Sequence, residues 1–130
     1  MNDKKIVLVT EDDKSLRNAL DSKLNTSGFV ILDAENGEEG LNLALLEHPD
    51  IILLDIAMPK MDGLTMLERL RQDEWGKDVP VIILTNLSSA DENRNKTITK
   101  LEPTYYLTKS DIKIEQVVEK IKERLGLFLI

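Results

Sequence analysis

Residues 51–63 read Ile51-Ile52-Leu53-Leu54-Asp55-Ile56-Ala57-Met58-Pro59-Lys60-Met61-Asp62-Gly63. Four aliphatic residues run straight into a carboxylate, and a proline follows four positions later. Such a run reads as a strand buried on both faces, the pattern of a parallel sheet lying between two helical layers. An unpaired carboxylate at the end of a buried strand is costly. Something elsewhere in the chain must therefore balance Asp55.

Outward from this strand, the same alternation repeats. Ile6 to Thr10 is a β-branched run, followed by a helical stretch with Leu16, Ala19, Leu20 and Leu24 on one face and Gly28 as its stop. Phe29 to Leu32 is the second strand, Asn36-Gly37 a turn, and Leu41, Ala44 and Leu45 mark a helix that ends near His48-Pro49. After the third strand comes a helix carrying Leu64, Leu67 and Leu70, then a strand from Val79 to Leu84 with Pro80 near its start, where a missing N–H is tolerated. Residues 88–101, rich in Asn, Thr and charge, read as a weakly apolar helix. Tyr105 to Thr108 is the fifth strand, and Ile114, Val117, Val118, Ile121 and Leu125 share one face of the last helix. Five strand–helix units in series predict a doubly wound α/β domain, one parallel sheet with helices on both faces and right-handed crossovers.

Composition agrees with one such domain. The chain has 130 residues, 42% hydrophobic and 32% charged, without a linker-like stretch. Seventeen basic against twenty-four acidic residues give a net charge of −7, which argues against direct grip on nucleic acid. No cysteine is present, excluding disulfides and thiolate metal sites. Neither a signal peptide nor an apolar run of membrane-spanning length is seen, so the expectation is a cytoplasmic domain without membrane contact.

In parallel α/β sheets, ligands bind at the carboxyl ends of the strands, where strand order reverses. Glu11, Asp12 and Asp13 follow the first strand, Asp55 the third, Thr85 ends the fourth and Lys109 follows the fifth. A strand order of 2-1-3-4-5 makes the first and third strands neighbours, bringing Glu11, Asp12 and Asp55 together. Individually these residues have ordinary explanations. Asp13 reads as a helix cap, Asp62-Gly63 as a turn into a helix, His48 as structural, and Met58 and Met61 as packing residues. Together, three acids, a hydroxyl and a lysine at one sheet edge form an oxygen-rich site suited to Mg²⁺, with Mn²⁺ as a substitute. The metal and Lys109 then balance Asp55.

The stretches VLVTEDD, IILLDIAMPKMDG, VIILTN and YYLTKS, in this order and spacing, resemble the response-regulator receiver domain of two-component signalling, of the chemotaxis-regulator, flavodoxin-like type. The resemblance spans about residues 5 to 125 and leaves no output domain within the chain. It implies that Asp55 is the phosphoacceptor and that Asp12 and Glu11, with the backbone carbonyl of Ala57, hold the metal beside it. It also implies that Thr85 and Lys109 contact the phosphoryl oxygens and that Tyr106 is the aromatic switch residue. The implied partners are a sensor histidine kinase or a histidine phosphotransfer protein. The implied output is a shift of the face made by the fourth helix, fifth strand and fifth helix, used for partner binding or for homodimerisation. Such a bacterial signalling domain catalyses only its own phosphorylation and dephosphorylation.

Some positions depart from the family pattern. Ser110 stands where proline usually follows the lysine, so the Lys109–Ser110 peptide is expected to be trans or strained. Asn86 is bulkier than the small residue usual after Thr85, and Glu102-Pro103 replaces a common Gly-Ala pair. Ala57 and Leu87, two residues after Asp55 and Thr85, cannot orient an attacking water, which predicts slow self-dephosphorylation. An aspartyl-nucleophile phosphatase would need an acid at position 57, where Ala57 stands. A flavodoxin-like cofactor binder would need a phosphate-cradling loop in place of Glu11-Asp12-Asp13. A phosphate-independent interaction module of the same fold is the remaining alternative.

Overall fold

The run Ile51–Leu54 is the central strand of a five-stranded sheet in the computed structural model, which describes residues 4–86, 103–110 and 112–127. In chain order the elements are β1 (Ile6–Thr10), α1 (Lys14–Thr26), β2 (Val30–Ala34), α2 (Gly37–Glu47), β3 (Ile51–Leu54), α3 (Gly63–Arg71), β4 (Val81–Thr85), β5 (Tyr105–Thr108) and a last helix, Ile114–Arg124. All four strand pairings are parallel, in the order β2-β1-β3-β4-β5. That is the order expected from the sequence. The predicted helix over 88–101 lies outside the described residues, as do Leu87, Glu102 and the C-terminal residues 128–130.

The reason for four consecutive aliphatics in β3 is visible in the two cores. Ile51 and Leu53 point to one face, where Leu20 and Leu24 of α1 meet Val117, Val118 and Ile121 of the last helix. Ile52 and Leu54 point to the other, against Leu41 and Ala44 of α2 and Met66, Leu67 and Leu70 of α3. Side chains alternate across a strand, so a strand sandwiched between two layers has no polar position to spare. Each fully buried Leu or Ile contributes roughly 1.5–3 kcal/mol relative to exposure.

Helix ends are set locally. Asp13 caps α1 by accepting from the Leu16 amide, Asn36 caps α2 through the Glu39 amide, and Asp62 caps α3 through the Thr65 amide. Asn36-Gly37, read as a turn, is thus the entry to α2. Gly28, with φ of +94°, follows the end of α1. His48 takes the left-handed position after α2 and stacks on Trp75, with ring centroids 4.2 Å apart, in keeping with a structural role. Leu45, one of the apolar residues that mark α2, is exposed. The buried stripe there is Gly37, Gly40, Leu41 and Ala44, which leaves position 45 about a quarter turn from its centre. The helix lies so close that a Cβ on Gly40 would sit 2.8 Å from the Thr10 side chain. Among the described residues no helix is long and apolar enough to cross a membrane.

Candidate functional site

The sheet ladder itself delivers the acids to one place. Thr10 pairs with Leu54 across β1 and β3, so Glu11 and Asp55 leave neighbouring strands at the same level. The Asp55 amide donates to the Thr10 carbonyl at 3.1 Å, and the Glu11 amide donates to the Ala34 carbonyl at 3.0 Å. Thr85 pairs with Thr108 across β4 and β5. One step further, the Lys109 amide donates to the Thr85 carbonyl at 2.8 Å. These bonds carry the register past the strand ends and fix where each functional backbone begins.

Carboxylate oxygens of Glu11, Asp12 and Asp55 all lie within 4.8 Å of one another. Glu11 and Asp55 are buried, at 2% and 5% exposure, and Asp12 is exposed. Lys109 reaches across the sheet edge into this cluster. Its Nζ stands 2.6 Å from Glu11 Oε1 and 3.2 Å from Asp55 Oδ2. The lysine therefore bridges both buried acids and not Asp55 alone. Thr85 is fully buried at the end of β4, and Tyr106 is half-buried against the core beneath α2 and α3.

The electrostatics follow from this crowding. The Glu11 carboxyl is pushed up to about 7, by burial first and by the negative charge of Asp55, against the downward pull of Lys109 and the Asp13 amide. For Lys109, burial works against the charged form, but the bonds to Glu11 and the charge of Asp55 outweigh it and hold the ammonium above its ordinary value. Two buried carboxylates and an exposed one form a set of hard oxygen donors, with the open side at Asp12 left to water. That set fits Mg²⁺.

The loop after β3 is pinned at three points. The Ala57 amide approaches Asp55 Oδ1 at 3.4 Å, the Gly63 amide donates to the Ile56 carbonyl at 2.8 Å, and the Gly37 amide donates to the Met61 carbonyl at 3.0 Å. Gly63 is required here, because a Cβ at that position would overlap the Asp55 carbonyl oxygen. Lys60 turns the loop in the left-handed region with φ of +64°. Met58 and Met61 pack against the core, as expected of them. The Lys109–Ser110 peptide is trans, since no cis bond occurs among the described residues.

One residue of this neighbourhood escaped the sequence reading. Arg17 of α1 is buried and donates from Nη1 to the Glu11 carbonyl at 2.8 Å. A usable signal existed: Arg17, Leu20 and Leu24 are spaced as one helix face and are the buried residues of α1, so a charged residue stood on an otherwise apolar stripe.

Known proteins resemble the chain in sequence and in fold. A family model described as the response regulator receiver domain matches residues 7–122. The Guillardia theta protein named "Probable transcriptional regulator ycf27" is 40% identical over 99 residues, covering 76% of this chain and 36% of that protein. The DNA-binding dual master transcriptional regulator RpaA of Synechocystis sp. is 36% identical over 86 residues, covering 66% of this chain and 36% of its own length. The chain thus spans little more than a third of the curated relatives it matches. Among solved structures, the receiver domain of the Francisella response regulator 1452 superposes with a TM-score of 0.81 at 31% identity, covering 92% of this chain and 95% of that one.

Proposed function

The chain belongs to the response regulator receiver family, and on that premise we propose that it accepts a phosphoryl group on Asp55 from a histidine kinase or a histidine phosphotransfer protein. A carboxylate oxygen of Asp55 attacks phosphorus as the phosphorus–nitrogen bond to the donor imidazole breaks, and the bonding electron pair leaves with that nitrogen. The observation that carries this reading is the convergence of Glu11, Asp12 and Asp55 within 4.8 Å, with Lys109 bridging the two buried acids.

Glu11, Asp12, Asp55 and the Ala57 carbonyl would hold Mg²⁺, which supplies positive charge against the developing phosphoryl oxygens. Lys109 exchanges its contact with Asp55 for a phosphoryl oxygen while keeping Glu11. The Thr85 hydroxyl donates to another oxygen. Phosphoryl transfer asks mainly for such positioning and for charge stabilisation, not for covalent chemistry from the protein. Thr85 moving toward the phosphoryl group leaves room for Tyr106 to turn further inward, which biases the surface built on β5 and the last helix. The output is partner binding or homodimerisation through that surface. The net charge of −7 disfavours direct contact of the domain itself with nucleic acid; in a longer polypeptide, relatives named as transcriptional regulators support a DNA-binding output segment.

The test is intact mass after incubation with acetyl phosphate, for wild type and Asp55→Asn, with and without Mg²⁺. One phosphoryl gain that needs both Mg²⁺ and Asp55 is expected. No gain in folded wild-type protein refutes the reading and leaves a phosphate-independent binding module.

A further inference from the structure

Glu11 is held at every polar group it has. Its amide donates to the Ala34 carbonyl, its Oε1 takes Lys109, its Oε2 accepts the Asp13 amide at 3.2 Å, and its carbonyl accepts Arg17 Nη1 at 2.8 Å. The last two bonds matter for the residue between. The Arg17 bond fixes the plane of the 11–12 peptide, and the bond from the Asp13 amide fixes the plane of the 12–13 peptide. With both planes set, φ and ψ of Asp12 are set, and so is the direction of its Cα–Cβ bond. Asp12 is exposed, and among the described residues its carboxylate makes no hydrogen bond or ion pair of its own. Its aim toward Glu11 and Asp55 comes from the backbone.

We propose that Arg17 is a positioning residue of the acidic site, which by gripping the Glu11 carbonyl from α1 aims the Asp12 carboxylate at the cation position; this rests on the receiver reading above. The guanidinium suits the task because its fork serves two acceptors at once. Nη1 takes the Glu11 carbonyl while Nη2 reaches Glu35 Oε1 at 3.4 Å, beyond the end of β2. The Arg17 side chain is 10% exposed, whereas that of Glu35 is 69% exposed. The carbonyl bond is therefore the one water replaces poorly. The anchor is rigid as well, since Arg17 lies in the first turns of α1, its amide bonded to the Asp13 carbonyl at 2.9 Å.

The experiment compares wild type with Arg17→Met by two readouts. The first needs no metal: the three-bond HN–Hα coupling of Asp12 and hydrogen exchange of the Asp13 amide. In Arg17→Met the coupling is expected to move toward a coil-averaged value and exchange to accelerate. The second is the MgCl₂ dependence of phosphorylation by acetyl phosphate. The Mg²⁺ concentration for half-maximal rate should rise about tenfold or more, as for other residues that orient metal ligands, while the rate at saturating Mg²⁺ stays near wild type. Glu35→Gln should change neither readout, and Leu24→Ala should lower the melting temperature without moving the Asp12 coupling. Arg17→Lys, which keeps the charge and loses the fork, should shift both readouts in the same sense and serves if Arg17→Met does not fold. Unchanged coupling and unchanged half-saturation in a folded variant overturn the proposal. A shifted coupling in a protein whose wild type takes up no phosphoryl group would uphold the positioning role and refute the receiver reading instead.

Discussion

Replacing Lys109 by Met removes the ammonium that bridges two buried carboxylates and leaves those carboxylates facing each other. The Nζ lies 2.6 Å from Glu11 and 3.2 Å from Asp55, which at an effective dielectric of about 20 corresponds to gross attractions of ~6 and ~5 kcal/mol. The acids lie within 4.8 Å of each other, a repulsion of at least ~3 kcal/mol on the same scale. Desolvation of Lys109 offsets much of the attraction, so the net loss falls well below the gross figures. Breaking a buried ion pair from one side typically costs about 3–5 kcal/mol, and Lys109→Met should lie in that range. That is a large share of the ~5–15 kcal/mol that holds a domain folded. Asp55→Asn alone, which removes one attraction and one repulsion together, should change stability by no more than about 1 kcal/mol. The double variant should recover about 2 kcal/mol relative to the sum of the single changes. Urea unfolding at pH 8 in the presence of a chelator, followed by Trp75 fluorescence and circular dichroism, reads all four corners of this cycle. A loss below about 1 kcal/mol for Lys109→Met, or coupling near zero, would show that water screens the pair and that burial at this edge does not have the electrostatic meaning given to it.

Thr10→Val should stabilise the protein by about 1 kcal/mol, because the Thr10 hydroxyl is buried without a hydrogen-bond partner among the described residues and valine keeps its shape; a lower melting temperature would mean that the hydroxyl has a partner worth keeping. Gly63→Ala places a Cβ on the Asp55 carbonyl oxygen and should destabilise by about 2 kcal/mol or more while slowing phosphorylation by acetyl phosphate; wild-type rates would show that the loop yields freely. Asp21 is pushed up to about 7 by burial and by the neighbouring Asp33 carboxylate, with Arg17 pulling the other way. A carboxyl whose folded value exceeds its unfolded one binds more protons when folded, so its contribution to stability falls as pH rises from about 4 to about 7. Asp21→Asn should therefore match wild type near pH 4 and exceed it by about 1 kcal/mol at pH 8, a figure reduced for solvent screening; equal stabilities at pH 8 in urea unfolding would refute this.

The order of elements was legible because each strand is short, apolar and separately bounded. β1, β3 and β5 stand where composition put them, whereas β2 and β4 begin one and two residues later than the apolar runs suggest. The reason is that Phe29 and Val79 are buried outside the ladder, and hydrophobicity reports burial, not pairing. Caps at Asp13, Asn36 and Asp62 use short polar side chains within three residues of their target amides, which is local information and readable. The same holds for the acids and for Lys109 as a set, since each lies within two residues of a strand end and the strand order decides that those ends meet.

Residue type and spacing by themselves determined that this chain makes a parallel α/β domain with an acidic, lysine-bearing edge. Only the tertiary structure decided how that edge is wired. Lys109 bridges Glu11 as well as Asp55, Gly63 must lack a side chain because the Asp55 backbone passes there, and Arg17 turns from α1 onto the Glu11 carbonyl. Each of these depends on the distance between segments far apart in sequence or on which way a peptide plane faces. Periodicity encodes which face of an element is buried; it carries no record of which atom that face will meet.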